Sequence, residues 1–400
     1  MHPFTTEPSH PLLRALVAGL EAGDQAAEAR FWAEVEADGA PLLAPAGDEV
    51  DVTFVWRGDE ATGSVAVIQD WGADGIRELL MARVPGSAAW HLTRRLPADT
   101  RTTYQLAPSP DPLAPELTAD NYRLDPLNPR TYAAYVDEAG GWSINFSLLE
   151  LPAAPPLPWE EANAPGYALA GGSLELSQPL GDERRVWVYQ PAGDPPGPHP
   201  LLLVFDGRLY KDQMGVTLML DALIAAGRIP PVVAALIDNP DRQELVCDED
   251  FAATVAERLI PWLRERYPVS AAPERTYAMG SSYGGLGAAF LALRYPQTVG
   301  AVISQTGWFR WAPAGDAELE WLARQIAAGG CPPIRFYLDV GSLETARLLD
   351  GGLSQLEANR HMRTVLQAKG CQVAYREYHG GHDYSSLRQP LYEALAAMIK

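Results

Sequence analysis

Cysteine is scarce in this chain, which has three among its 400 residues: Cys247, Cys331 and Cys371. They are widely spaced and odd in number, and the sequence contains no Cys-x-x-Cys pair and no Cys/His cluster. This pattern predicts neither a disulfide framework nor a zinc site. We therefore expect buried or incidental thiols.

The sequence also has fewer positive than negative charges and lacks long apolar runs. The chain has 31 Lys and Arg against 51 Asp and Glu, a formal net charge of −20. A nucleic-acid partner is not expected, because phosphate binding needs a basic face, although a local basic pocket for an anionic ligand is compatible with this total. No apolar run reaches the length of a membrane span, and residues 1–7 lack the basic region and apolar core of a signal peptide. We expect a cytoplasmic protein.

Two hydrophobic patterns divide the chain near residue 152. Residues 1–151 contain two short amphipathic helical segments and then several short strands of alternating polarity, which predicts a small, mainly-β sandwich domain. Residues 152–165 begin with a proline-rich stretch typical of a stiff linker. In residues 166–400, helical segments alternate with buried-strand segments, which predicts a mostly parallel sheet with helices on both faces.

A Gly-x-Ser-x-Gly sequence lies between a predicted strand and a predicted helix, with Gly280, Ser282 and Gly284 at its fixed positions. In α/β-hydrolases this arrangement forms a nucleophile elbow, a strained turn that exposes the serine hydroxyl above the sheet. The pentapeptide alone is also compatible with a glycine-rich turn whose serine merely caps the following helix.

A histidine near the end of the sequence, His382, supplies the partner that the serine needs. A serine hydroxyl is a weak nucleophile without an adjacent base, and serine first with histidine last is the chain order of an α/β-hydrolase triad. We predict that residues 166–400 form an α/β-hydrolase domain in which Ser282 is the nucleophile and His382 the base. His379 is a less well placed rival, because it abuts the end of a strand, and a simple turn residue is the non-catalytic interpretation of His382.

The other parts of such a site should lie on loops that follow neighbouring strands. For the triad acid we prefer Glu344, in the loop after the penultimate strand, to Asp339, which still lies within that strand. Asp383 is expected to cap its own loop. The oxyanion hole should use the backbone N–H groups of Tyr283, directly after the nucleophile, and Gly207.

Three cations, Arg208, Lys211 and Arg242, lie on loops expected at the carboxyl edge of the sheet. We predict that they line the mouth of the site, and a solvated surface charge is the alternative interpretation of each.

Taken together, these segments resemble the enterochelin (enterobactin) esterase family, and the resemblance covers most of the chain. The similar segments are Phe31-Trp32, Val52-Thr53-Phe54-Val55-Trp56-Arg57, Trp90, Arg95-Leu96-Pro97, Asp125-Pro126-Leu127-Asn128-Pro129, Leu203-Val204-Phe205-Asp206-Gly207, Arg242-Gln243-Glu244-Leu245, Ser304-Gln305-Thr306-Gly307-Trp308 and Gly380-Gly381-His382-Asp383. Many esterases share Gly-x-Ser-x-Gly, whereas the pattern before residue 130 is much more specific.

The resemblance implies a cytoplasmic serine esterase that hydrolyses the trilactone of a ferric catecholate siderophore and so releases iron. It adds Trp308, Arg310 and Trp311 as substrate-binding residues, since guanidinium groups and aromatic faces suit anionic complexes with flat rings. Iron enters only as part of the substrate, and no other metal or cofactor is implied. Two alternatives stay open: a serine esterase acting on acylated carbohydrate, feruloyl or other small esters, and a non-catalytic siderophore-binding protein.

Overall fold

The structure is a computed structural model, and it describes residues 4–69, 79–111, 119–136, 143–161, 171–180, 184–193, 195–347 and 352–400. The chain forms two compact units. The first comprises Met1–Pro155 together with His379–Ser386, and the second comprises Pro156–Tyr378 together with Leu387–Lys400. Part of the predicted linker, residues 162–165, lies outside the described residues.

The first unit is built from two helices and nine strands among the described residues. They are β1 (Phe4–Thr5), α1 (Pro11–Glu21), α2 (Ala27–Asp38), β2 (Leu42–Ala46), β3 (Glu49–Arg57), β4 (Ser64–Ile68), β5 (Ala82–Arg83), β6 (Ala89–Pro97), β7 (Arg101–Ser109), β8 (Thr131–Val136) and β9 (Ser143–Glu150). One sheet has the order β1-β6-β3-β2, with β5 also paired to β6, and the other has the order β4-β7-β9-β8. Phe54 of the first sheet packs edge-on against Tyr104 of the second, with 4.8 Å between ring centroids. The predicted β-sandwich is confirmed.

The alternation along β3 suggests that one face of this strand is exposed, but most of the strand is buried on both faces. Val55 points away from the sandwich interior and joins a core cluster with Phe31 and Trp32 of α2 and Leu13 and Leu16 of α1. The two helices therefore cover the outer face of the first sheet. Packing of α1 and α2 buries the outer face of β3. The alternation of polar and apolar residues along the strand does not reveal this burial.

Three hydrogen-bonded, buried polar side chains fix the Asp-Pro-Leu-Asn-Pro turn of the first unit. The Tyr104 hydroxyl donates to Asp125 Oδ2 at 2.7 Å, and Asn128 Nδ2 donates to the Tyr104 hydroxyl at 3.1 Å. Burial raises the pKa of Asp125 and of Tyr104. Because a buried polar atom without a partner is costly, these three side chains tie the turn to β7.

The second unit alternates strands and helices. Its described elements are α3 (Pro158–Glu161), β10 (Ser173–Ser177), β11 (Val186–Gln190), β12 (Leu201–Val204), α4 (Gly207–Leu209), α5 (Val216–Ala225), β13 (Val233–Ile237), α6 (Glu249–Ala253), α7 (Ile260–Arg266), β14 (Thr276–Ser281), α8 (Tyr283–Arg294), β15 (Ala301–Gln305), α9 (Trp321–Gly329), β16 (Arg335–Gly341), α10 (Gln355–Ala368), β17 (Gln372–Tyr378) and α11 (Tyr384–Met398). Single π-helical turns, Tyr210–Met214 and Thr254–Leu259, follow α4 and α6.

These eight strands form one sheet in the order β10-β11-β13-β12-β14-β15-β16-β17. β10 and β11 are antiparallel to their neighbours, and the remaining strands are parallel. The continuously apolar strands β12 and β13 are fully buried, whereas β10 is largely exposed at the edge. The predicted α/β-hydrolase fold is confirmed. No helix in the described part of the chain is both long and apolar enough to cross a bilayer.

The expectation of unpaired thiols is wrong for two of the three cysteines. Cys331, which follows α9, forms a disulfide with Cys371, which precedes β17, at a sequence separation of 40. They meet because the chain enters the neighbouring parallel strands β16 and β17 at the same edge of the sheet. Cys247 is a free cysteine.

We expect the disulfide to stabilise the oxidised protein by about 2–4 kcal/mol, because it constrains a long loop of the unfolded chain. Thermal unfolding with and without reductant measures the effect. Reductant should lower the Tm of the wild type and leave the Tm of a Cys331→Ser/Cys371→Ser variant unchanged. Equal shifts in the two proteins would contradict the disulfide.

Candidate active site

Ser282 occupies the sharp turn between β14 and α8. Its backbone has φ +56° and ψ −117°, outside the regions that ordinary residues favour. A side chain at Gly280 would place its Cβ only 2.5 Å from the carbonyl carbon of Gly284, so the turn requires glycine there. The structure thus gives the Gly-x-Ser-x-Gly sequence the strained strand-turn-helix form of a nucleophile elbow.

The end of β15 and the loop after it hold the backbone of Ser282 through both its N–H and its carbonyl. Ser282 N–H donates to the Gln305 carbonyl at 3.0 Å, and Trp308 N–H donates to the Ser282 carbonyl at 2.9 Å. Gln355 Nε2 in turn donates to the carbonyls of Thr306 and Gly307 at 2.6 and 2.7 Å. The strained backbone at the serine is therefore embedded in a hydrogen-bonded frame rather than left to solvent.

The predicted oxyanion loop follows β12. Gly207 lies so close to β13 that an added Cβ would be 2.4 Å from the Leu236 carbonyl carbon, so only glycine fits. Gly207 begins α4 and Tyr283 begins α8. The first N–H groups of a helix have no acceptor within the helix, and the helix dipole favours negative charge near them. Both predicted oxyanion donors thus lie at helix starts.

An ion pair between buried Asp206 and partly exposed Arg242 supports the predicted oxyanion loop. Asp206, with φ +53° and 4% exposure, accepts two hydrogen bonds from Arg242, from Nε at 2.9 Å and from Nη2 at 2.8 Å. Burial raises the pKa of Asp206, and the Arg242 charge opposes that rise. The Arg242 guanidinium also lies 5.6 Å from the ring centroid of Tyr283. One arginine therefore contacts both predicted oxyanion segments.

Glu344 lies in the loop after β16, as expected, and is 3% exposed. It accepts a hydrogen bond from Thr306 Oγ1 at 2.5 Å and one from Gly341 N–H at 2.8 Å. These two bonds hold the carboxylate by both of its oxygens, Oε2 and Oε1.

Asp339, the rival acid, lies within β16 and is completely buried. Burial raises its pKa to about 8, and the nearby negative charge of Glu344 adds to the rise. Asp339 is therefore mostly protonated at neutral pH.

His382 lies in the loop between β17 and α11, which groups with the first unit. It is half-buried. The rival His379 is exposed, and its Nδ1 lies 2.6 Å from Asp99 Oδ1. Asp383 Oδ1 accepts a hydrogen bond from Ser386 N–H at 3.0 Å, as expected of a residue that caps its own loop.

The predicted cations differ in their surroundings. Lys211 contacts the carboxylate of Asp212 and lies 5.1 Å from the ring centroid of Trp187. Arg208 Nε is 4.0 Å from Asp212 Oδ2. Both side chains are half-buried. Asp212 therefore offsets part of the positive charge that the sequence suggests here.

The aromatic group after β15 is packed rather than loose. Trp308 meets the ring of Tyr283 edge-on at 5.7 Å, and the Arg310 guanidinium lies 5.4 Å from the Trp308 ring centroid. Arg310 is only 4% exposed, whereas Trp308 is half-buried. Trp311, also half-buried, packs edge-on against Trp321 at 5.9 Å. Trp308 thus lies directly beside the residue that follows Ser282.

Sequence reasoning missed the supporting residues, chiefly Asp206, Thr306 and Gln355. A polar residue at the end of a buried strand is a sequence signal for Asp206 and Thr306. Gln355, in α10, has no comparable signal in the sequence. In the described ranges, no group of three or more His, Cys, Asp or Glu side chains is arranged to hold a metal ion.

Comparison with known proteins matches both halves of the chain. Residues 177–398 match the family described as putative esterase, and residues 51–160 match the N-terminal part of enterochelin esterase. The resemblance seen in the sequence is thereby confirmed.

Individual relatives match over nearly the whole length. The chain is 30% identical to the iron(III) enterobactin esterase of Dickeya dadantii (strain 3937), over 92% of each protein. It is 29% identical to the iron(III) salmochelin esterase of Escherichia coli O6:H1, over 97% of this chain and 98% of that protein. A crystal structure of the Shigella flexneri enterobactin esterase, determined in the presence of enterobactin, matches with a TM-score of 0.71 and 26% identity, over 92% of this chain and 97% of that one. The chain belongs to the enterochelin esterase family of carboxylic ester hydrolases.

Proposed function

We propose that this protein is a serine esterase that hydrolyses the ester bonds of a ferric catecholate siderophore trilactone and so releases its iron. The observation that carries this proposal is the end-to-end match to esterases named for iron(III) enterobactin and iron(III) salmochelin, which includes the N-terminal segment. The strained turn at Ser282, which has the form of a nucleophile elbow, supports a serine nucleophile for this reaction.

In the proposed reaction, Ser282 Oγ attacks the carbonyl carbon of a serine-lactone ester while His382 accepts the hydroxyl proton. The negative charge that develops on the carbonyl oxygen is stabilised by the N–H groups of Tyr283 and Gly207. His382 then returns the proton to the leaving alcohol oxygen. Water, activated by the same imidazole, hydrolyses the acyl-enzyme and regenerates Ser282.

We assign Glu344 as the triad acid. An acid in this role must be ionised to stabilise the imidazolium that forms during attack. Asp339 does not meet this condition at neutral pH, because its pKa is raised to about 8. Glu344 also lies beyond the strand end, with its carboxylate oriented by Thr306 and Gly341.

The substrate proposal draws on aromatic and cationic groups beside the elbow. Ferric catecholates combine negative charge with flat rings, which suit guanidinium groups and aromatic faces. Trp308 lies beside Tyr283, and the side chain of Arg242 keeps 37% exposure despite its ion pair. We propose that these two residues contact substrate, together with Trp311, Arg208 and Lys211. The largely buried Arg310 would act by orienting the Trp308 ring.

The proposed chemistry uses side chains, backbone N–H groups and water, with iron arriving as part of the substrate. We place the reaction in the cytoplasm, as the family resemblance implies. Disulfides are uncommon in the cytoplasm. In that compartment the relevant stability is therefore that of the protein with Cys331 and Cys371 reduced.

Wild-type protein should convert ferric enterobactin into linear trimer, dimer and monomer, and Ser282→Ala should form none of them above background. Chromatography of timed reactions with the ferric and the iron-free trilactone measures this. A fluorophosphonate probe should label the wild type and not Ser282→Ala, because only an activated serine reacts. Turnover of p-nitrophenyl butyrate without any trilactone product would retain the esterase and overturn the siderophore as substrate.

Glu344→Gln should lower kcat by at least about 100-fold, because a neutral amide cannot stabilise the imidazolium. The matched change Asp339→Asn should leave kcat within about threefold, since Asp339 is already largely neutral at pH 7. Steady-state kinetics on p-nitrophenyl butyrate compares the two variants independently of siderophore binding. The reverse ranking would assign the acid to Asp339.

Arg242→Ala should lower both stability and kcat, because it leaves the Asp206 carboxylate buried without its counter-charge. We expect a loss of about 1–3 kcal/mol, below the value for a fully buried pair because Arg242 is partly exposed. Adding Asp206→Asn to this variant should recover part of the Tm. If Arg242 only bound substrate, KM would rise while Tm stayed unchanged.

A further inference from the structure

The loop that carries His382 is anchored to the beginning of β7. His379–Ser386 groups with the first unit, and all the contacts described below lie within that unit. Arg101 N–H donates to the His379 carbonyl at 3.3 Å, at the start of the loop. The anchoring continues through the side chains of Thr102 and Ser386.

Thr102 holds the residue next to the histidine. Its hydroxyl donates to Asp383 Oδ2 at 2.8 Å, while Ser386 N–H donates to Asp383 Oδ1 at 3.0 Å. Both oxygens of the carboxylate are therefore engaged, one by β7 and one by the first turn of α11. With both oxygens held, the Asp383 backbone that follows His382 has little freedom to rotate.

Ser386 holds the residue on the other side of the histidine. Its hydroxyl accepts a hydrogen bond from Gly381 N–H at 3.1 Å, and lies 2.6 Å from Asp383 Oδ2 and 2.8 Å from the Arg101 carbonyl. A hydroxyl has one proton, so it donates to one of these two acceptors at a time. Ser386 thus links the two neighbours of His382, and both to the backbone of β7.

The anchor itself is buried and paired within the first unit. Thr102 is completely buried and pairs with Leu149 of β9. The guanidinium of Arg101 donates to Glu150 at 3.3 Å and to the Pro155 carbonyl at 2.6 Å, and this side chain is only 6% exposed. A strand end fixed by sheet pairing and a buried arginine can transmit its position to the loop.

We propose that Thr102 and Ser386 are positioning residues for catalysis, with Asp383 as the group they share. The beginning of β7, in the β-sandwich part of the chain, would hold the histidine loop in the geometry that proton transfer needs. The proposal rests on His382 as the general base of the proposed function. It assigns to the N-terminal part of the chain a role in the chemical step, separate from any contact it makes with substrate.

Such a role has a kinetic signature. Proton transfer depends steeply on geometry, and a misplacement of about 1 Å costs on the order of 100-fold in rate. Substrate binding by groups outside the loop does not depend on the imidazole position. Loss of the anchor should therefore lower kcat and the rate at which Ser282 is labelled, with little change in KM.

The experiment compares Thr102→Val with Thr102→Ser, using p-nitrophenyl butyrate turnover and the rate of fluorophosphonate labelling. Valine keeps the shape and removes the hydroxyl, and serine restores the hydroxyl. We expect Thr102→Val to lower kcat and labelling rate by about 10- to 100-fold with KM within twofold. Thr102→Ser should return to within about threefold of wild type, and Ser386→Ala should resemble Thr102→Val.

Thr53→Val is the matched control for folding effects. Thr53 is also completely buried in a strand of the first unit, and its hydroxyl lies 2.8 Å from that of Thr93. Thr53→Val should lower the Tm about as much as Thr102→Val does, while its kcat stays at the wild-type value. Wild-type kcat in Thr102→Val and Ser386→Ala, or an equal fall in Thr53→Val, would overturn the proposal.

The same assays distinguish failure of the proposed function from failure of the positioning role. If Ser282→Ala keeps wild-type turnover, or if His382→Ala does, the assigned nucleophile or base is wrong. If only the trilactone is not cleaved, the substrate is wrong and the comparison of Thr102 variants on the aryl ester still decides the positioning role.

Discussion

Three neighbouring strands end in strained residues, and the arrangement of the candidate site follows from that. Asp206, Ser282 and Thr306 lie at the carboxyl ends of β12, β14 and β15, and each has a positive φ although none is glycine. Such conformations cost on the order of 1–3 kcal/mol each and persist only where surrounding structure holds them. These backbone conformations turn the chain sharply at one edge of the sheet. Because β12, β14 and β15 are adjacent, the oxyanion loop, Ser282 and the loop that supports Glu344 all begin at that edge.

The hydrogen bonds around these turns explain why they persist. Asp206 N–H donates to Asn239 Oδ1 at 2.9 Å, Ser282 N–H to the Gln305 carbonyl at 3.0 Å, and Thr306 N–H to the Asp339 carbonyl at 2.7 Å. Each strained residue is thus held by the strand or loop beside it. Because Gln305, the partner of Ser282, directly precedes Thr306, a change at one of these two turns is expected to propagate to the other, and their effects should not be additive.

The two carboxyl groups near β16 have different surroundings. Asp339 has its pKa raised by complete burial, whereas Glu344 has polar partners at the sheet edge. The difference comes from position along the chain: one residue lies inside a central strand and the other just beyond its end. The cations differ in their partners, since Arg242 donates two hydrogen bonds to Asp206 whereas Arg208 Nε lies 4.0 Å from Asp212 Oδ2, and both side chains are partly exposed.

Local patterns in the sequence were enough to predict the α/β-hydrolase sheet, the β-sandwich and the elbow at Ser282, and the family was identified from a resemblance that covers most of the chain. Hydrophobic periodicity and glycine positions are properties of short segments, and the order of serine and histidine is read directly along the chain, so none of them requires knowledge of spatial contacts. The partners themselves came only from the tertiary structure. The Cys331–Cys371 pair depends on β16 lying beside β17, the buried outer face of β3 depends on helix packing, and the contact of Thr102 with Asp383 joins residues 281 positions apart. Contacts at such separations are set by how the sheets assemble, which no local period encodes.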